Sequence, residues 1–194
     1  MNPTDRSLRV ALTTLAICVT ALAPVAHATL LVARSLTDQV SAADHIVVVT
    51  GISETSRWDR FGRIVSDMRL HVTDVIKGPL NRGDDVSVMR LGGSIGDLGM
   101  TVAGEAIVAP GERAILFLDD VDDQGTMRVS NMSLGQYPVT LRHGVPTVLP
   151  SGAGLALVVQ TPGGALVPTV SPLPAPISLA EFLSVLRELA AGTR

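Results

Sequence analysis

Along residues 62 to 80, GRIVSDMRLHVTDVIKGPL, the side chains alternate in character. Ile64, Met68, Leu70, Val72 and Ile76 share the even positions with Ser66 and Asp74, while the odd positions carry Val65, Asp67, Arg69, His71, Thr73, Val75 and Lys77. A period of two predicts a strand with one buried face. His45 to Ile52 is a β-branched run and predicts a strand before it. The intervening SETSRWDRFGR is polar and reads as a turn. In KGPLNRGDD, residues Gly78, Pro79, Asn81 and Gly83 predict a chain reversal, followed by a third strand over Val86 to Leu91.

Ala114 to Leu118 is apolar at every position, which predicts a central strand covered on both faces. Shorter strands are expected over 126–130, over 138–142 and 145–149 as a hairpin turning at His143-Gly144, and over 155–160 and 165–169 around TPGG. Two helices frame these strands. Ser35 caps a short one over 36–43, with Asp38 in its first turn and Leu36, Val40 and Ala43 at helical spacing. At the other end Ser178 and Glu181 form a capping box, Phe182, Leu183, Leu186 and Leu189 form an apolar stripe, and Gly192 supplies a stop. Runs of strands joined by turns, without alternating helices, predict a mainly β fold: a small barrel with a short N-terminal helix and a C-terminal amphipathic helix.

The N-terminus changes the picture of where the protein works. Arg6 and Arg9 precede the apolar run VALTTLAICVTALAPVA, which ends at Ala26-His27-Ala28. A basic head, a short apolar core and an A-x-A exit predict a signal peptide over 1–28, cleaved after Ala28, and hence a secreted or periplasmic protein. The run is shorter than the roughly 20 residues that span a bilayer. The expected organisation is a β-barrel domain over 29–170, a proline-rich linker over 171–177 containing SPLPAPI, and the helix over 178–192.

Removing Asp5, Arg6 and Arg9 leaves 17 acidic against 13 basic residues, and Cys18 leaves with the same segment. Thiolate catalysis and disulfide stapling are thereby excluded from the exported chain, which depends on its apolar core. An acidic, aromatic-poor chain also fits single-stranded nucleic acid badly, because such binding needs a basic groove with stacking rings.

No catalytic, cofactor or metal motif stands out. The glycine-rich stretch Gly92 to Gly104 matches neither G-x-G-x-x-G nor G-x-x-x-x-G-K, and no helix pattern follows it, so it reads as a crossover or bulged strand. Asp119, Asp120, Asp122 and Asp123 gather oxygen ligands, but counting from Asp120 places Asn131 where a calcium loop needs a bidentate Glu. His45, His71 and His143 have no paired-ligand spacing, and His71 is expected on a solvent face. A triad assembled through space stays open as a dispersed hydrolase site. Trp58 is the most informative side chain: with Arg57, Arg60 and Phe61 it forms an aromatic and arginine cluster of the kind protein recognition uses. The alternative is that Trp58 folds back to cap the barrel end.

The order of SLTDQVSAADHIVVVTGI, GRIVSDMRLHVTDVIKG, a glycine-rich stretch and PGERAILFLDD resembles a widespread group of uncharacterised secreted bacterial proteins. More distantly it is similar to the netrin-like module of tissue inhibitors of metalloproteinases. The resemblance covers about residues 35–120, through Ala43-Asp44, Val75-Ile76-Lys77-Gly78 and Gly111 to Phe117. It implies an OB-like barrel. It also raises inhibition of an extracellular metalloprotease through the α-amine of Thr29, although the cysteines that staple those inhibitors are absent. The reading reached from sequence is a secreted or periplasmic, non-catalytic β-barrel that binds a protein partner, with Trp58, Arg57, Arg60 and Phe61 as the contact. Metalloprotease inhibition and a dispersed hydrolase are the alternatives.

Overall fold

The computed structural model describes residues 30–121 and 126–192, and over these the chain is mainly β with one helix near each end. Strand β1 (Leu30–Val32) leads into helix α1 (Leu36–Ala42), where Ser35 Oγ accepts from the Asp38 amide. Two strands of 14 residues follow, β2 (His45–Trp58) and β3 (Ile64–Lys77), then β4 (Asp85–Leu91). The glycine-rich stretch forms a small hairpin, β5 (Gly93–Ile95) with β6 (Leu98–Met100). Next come β7 (Arg113–Asp119), β8 (Arg128–Val129) and a 3-10 turn at Met132–Gly135. Strands β9 (Gln136–Arg142), β10 (Val145–Val148), β11 (Ala156–Gln160), β12 (Leu166–Pro168) and β13 (Ile177–Ser178) precede helix α2 (Leu179–Gly192). His143 and Gly144, both at positive φ, turn β9 into β10 as a two-residue hairpin requires.

The main sheet runs β13-β10-β9-β7-β2-β3-β4, with β8 added on β7, and every pairing in it is antiparallel. A second sheet, β1-β11-β12, packs Leu31 and Leu157 onto Leu134 of the 3-10 turn. The main sheet curls, yet its ladders do not close. Beyond β4 the contact with the strand β8 segment is one isolated parallel bridge, Val88 to Met127, with the Met89 amide donating to Met127 O at 2.9 Å.

β2 and β7 lie at the middle because both their faces are apolar. Val47, Val49, Ala114, Leu116 and Leu118 point into the curl against Met68, Leu70, Val72 and Val88. Ile46, Val48, Ile115 and Phe117 point the other way, onto Val40 of α1 and Phe182, Leu183 and Leu186 of α2. Each fully buried side chain of this size contributes about 1.5–3 kcal/mol. α2 is thus part of the core, Leu173 of the proline-rich segment is buried with it, and Gly192 belongs to its last turn. Three of the five aromatic residues, Phe117, Tyr137 and Phe182, stack in this layer with ring centroids 5.6 and 5.1 Å apart. The buried Tyr137 hydroxyl donates to Gln39 Oε1 at 3.0 Å.

The alternation over β3 is interrupted. Its pairing with β2 shifts register opposite Ile46/Val47, Val48/Val49 and Gly51/Ser53. The first two leave Ile76 and Thr73 as extra residues on β3 and the third leaves Ile52 extra on β2, and each reverses the faces beyond it on the strand that carries it. Val75 therefore joins the inner core, while Ile76, expected on the face of Met68 and Leu70, packs on the helix side.

Candidate functional site

The polar stretch expected as a turn is mostly strand. Ser53 to Trp58 pair with Arg69 to Ile64, and only residues 59–63 form the turn. The facing β3 residues Ile64, Val65 and Met68 are buried, but on β2 this end carries no buried apolar side chain, so its sequence has no apolar period. Cross-strand polar pairs hold it instead. Arg57 grips Asp67 with two hydrogen bonds, 2.6 and 3.1 Å, and Glu54 pairs with Arg90. Ser56 and Ser66 share a hydrogen bond at 2.9 Å, Ser66 donates to Gly92 O at 2.7 Å, and Ser56 Oγ accepts from the Ser94 amide at 3.1 Å. Gly93 sits so close to these two hydroxyls that a Cβ would lie 2.2 Å from Ser66 Oγ. The glycine-rich stretch is thus a structural device, its hairpin clamped to the ribbon where no side chain would fit.

The turn is organised by Asp59. Its Oδ1 accepts from the Phe61 and Arg63 amides at 2.9 and 2.8 Å, and its Oδ2 from Arg63 Nε at 2.8 Å. Asp59 N donates to Arg63 O, and Gly62 takes the left-handed conformation at φ 72°. Desolvation pushes the Asp59 carboxyl upward, but the Arg63 amide and guanidinium and the Phe61 amide outweigh it and hold the group below its ordinary 3.8. A rigid turn on a paired ribbon presents Trp58 and Phe61 to solvent, 49% and 65% exposed. Trp58 does not fold back into the core.

The four cluster residues divide in two. Arg57 is engaged by Asp67, and the nearby Arg63 by Asp59. The Arg60 guanidinium has no carboxylate partner among the described residues and lies 4.7 Å from the centre of the Phe61 ring. Trp58, Arg60 and Phe61 stand outside these ion pairs.

The other candidates are dispersed. His71 is exposed as expected, and its Nδ1 lies 2.9 Å from Asp85, which also accepts from Arg69. Those partners, His71 first and then Arg69, hold the Asp85 carboxyl below the usual range against desolvation. His143 sits in the β9–β10 turn. His45 is buried without a hydrogen-bond partner for either nitrogen, its Nε2 3.5 Å from Asp120. Among the described residues no serine hydroxyl bonds to a histidine, and no three potential metal ligands gather around one point. Asp122 and Asp123, Thr29 and the segment 1–28 lie outside the described residues. No helix among the described residues is long and apolar enough to cross a membrane.

Sequence reasoning passed over Lys77, the only lysine. Its ammonium donates to Val40 O, Ser41 O and Ala43 O at 2.8, 3.1 and 2.7 Å, tying the C-terminal end of α1 to β3. A tetrahedral ammonium fits three converging carbonyls where a planar guanidinium does not. One lysine among 14 arginines was the available signal.

Compared with protein-family models, curated proteins and solved structures, the chain matches none of them.

Proposed function

We propose that this is an exported, non-catalytic β protein that binds another protein through the tip of the β2–β3 ribbon. The observation that carries the reading is where five aromatic rings go. Three build the helix-side core, and the other two stand exposed at one turn beside an arginine with no acidic partner among the described residues. Exposed aromatics and arginine are the side chains enriched at binding hot spots. Holding them on a paired ribbon lowers the ordering cost of association.

The scaffold in this reading is an OB-like barrel. The order β7-β2-β3-β4, with β8 antiparallel to β7 and Met127 just before β8 bridged in parallel to β4, supports it, and the Val88–Met127 bridge is then the seam. The binding reading is tested by placing a photo-crosslinking amino acid at position 61 in the producing organism, and at exposed Arg82 as a control. One discrete protein adduct specific to position 61 is expected. No adduct, or the same adducts from both positions, overturns the reading.

A further inference from the structure

Away from the ribbon tip, the sheet segment β7-β9-β10 and the chain at 107–114 enclose a half-open groove of about 780 Å³. Its walls are mostly apolar, with Val108, Pro138, Val139 and Leu149 below and Ile107 and Leu141 at the mouth, 47% and 72% exposed. The wall is fixed in place. The Gln136 side-chain amide bonds both ways to the backbone of Ile107, Oε1 accepting from its amide at 2.8 Å and Nε2 donating to its carbonyl at 2.5 Å.

One cation faces this space. Arg113 lines the groove, its Nε is buried without a hydrogen-bond partner, and no carboxylate within the described residues pairs with it. The acid beside it, Glu112, also lines the groove, but its Oε2 accepts from the Ala109 amide at 3.0 Å. A guanidinium cannot lose its charge in a protein, so an anion that reaches it is favoured. A preformed apolar cleft of several hundred Å³ with one polar anchor is the ordinary build of a small-molecule site.

We infer that the groove binds a small apolar carboxylate, its hydrocarbon part laid along Ile107, Val108, Pro138 and Leu141 and its carboxylate received by the Arg113 guanidinium. Charge complementarity selects the anion: an alcohol or amine of the same chain length leaves Arg113 unanswered or repels it. The site stands apart from the tip residues Trp58, Arg60 and Phe61 and does not depend on their role.

The experiment is titration of the purified protein with decanoate and 1-naphthoate, alongside 1-decanol and decylamine, followed by calorimetry and by amide shifts over β7, β9 and β10. Saturable binding of at least one carboxylate is expected, with the alcohol and amine weaker by tenfold or more. Arg113→Gln should weaken the carboxylate at least tenfold and leave the alcohol unchanged, because a hydrogen bond to a charged group is lost. Arg113→Lys should recover part of the loss. The inference is overturned if neither carboxylate binds, or if alcohol and carboxylate bind alike in the unaltered protein. The unaltered-protein comparison stands even if the variants fold poorly.

Discussion

Between His45 and Gly51 the first long strand is covered on both faces, by the inner core on one side and the two helices on the other. Between Ser53 and Trp58 the same strand, still paired to β3, buries no apolar side chain and is held by Arg57–Asp67, Glu54–Arg90 and the Ser56–Ser66 pair. Continuous ladder pairing joins the two halves, but different forces stabilise them. The root is fixed by burial, which leaves its residues no freedom for function. The tip is fixed by polar pairs and one aspartate-centred turn, which leaves two rings and a guanidinium outward.

Disrupting the root should cost the fold. Phe117→Ala, at a fully buried site touching Tyr137, is expected to lose about 3–5 kcal/mol in equilibrium urea unfolding. Gly51→Ala would put a Cβ 2.2 Å from Ala109 O, so about 1–3 kcal/mol of overpacking is expected by the same measurement. Lys77→Met removes three charge-assisted bonds at the end of α1 and should cost about 2 kcal/mol, with faster amide exchange over α1 and incomplete rescue by Lys77→Arg. At the tip, Asp67→Asn should cost under about 1 kcal/mol, since Arg57 and Asp67 are both partly exposed.

Acid should separate the two halves. Asp59 has a folded pKa below its ordinary 3.8, so its support for the turn is present above about pH 4 and is lost as pH falls through the lowered value. The Phe61 and Arg63 amides should shift there in NMR spectra while those of Val47 to Val49 stay unmoved. Movement of both sets together would mean that tip and root open as one unit.

The elements driven by burial were legible in the sequence. The apolar runs of β2 and β7, the stripe of α2, the Ser35 and Ser178 caps and the His143-Gly144 turn each express a local rule. The outer half of β2 was not, because a strand that buries no apolar side chain has no apolar period and takes its conformation from its neighbour. The register shifts that turn Val75 inward and Ile76 to the helix side depend on β2 and cannot be read from β3 alone. Of the cluster, Trp58, Arg60 and Phe61 could be named from composition. The commitment of Arg57 to Asp67 and the isolation of Arg113 both depend on pairing across strands.

The most direct test of the binding claim pairs two readings on one variant, Trp58→Ala: its unfolding free energy and the yield of the adduct formed from position 61. Stability within about 0.5 kcal/mol of the unaltered protein is expected, as for a surface residue outside the core, with most of the adduct gone. An unchanged adduct with unchanged stability would contradict the claim, and the tip would then be a well-built turn with no partner.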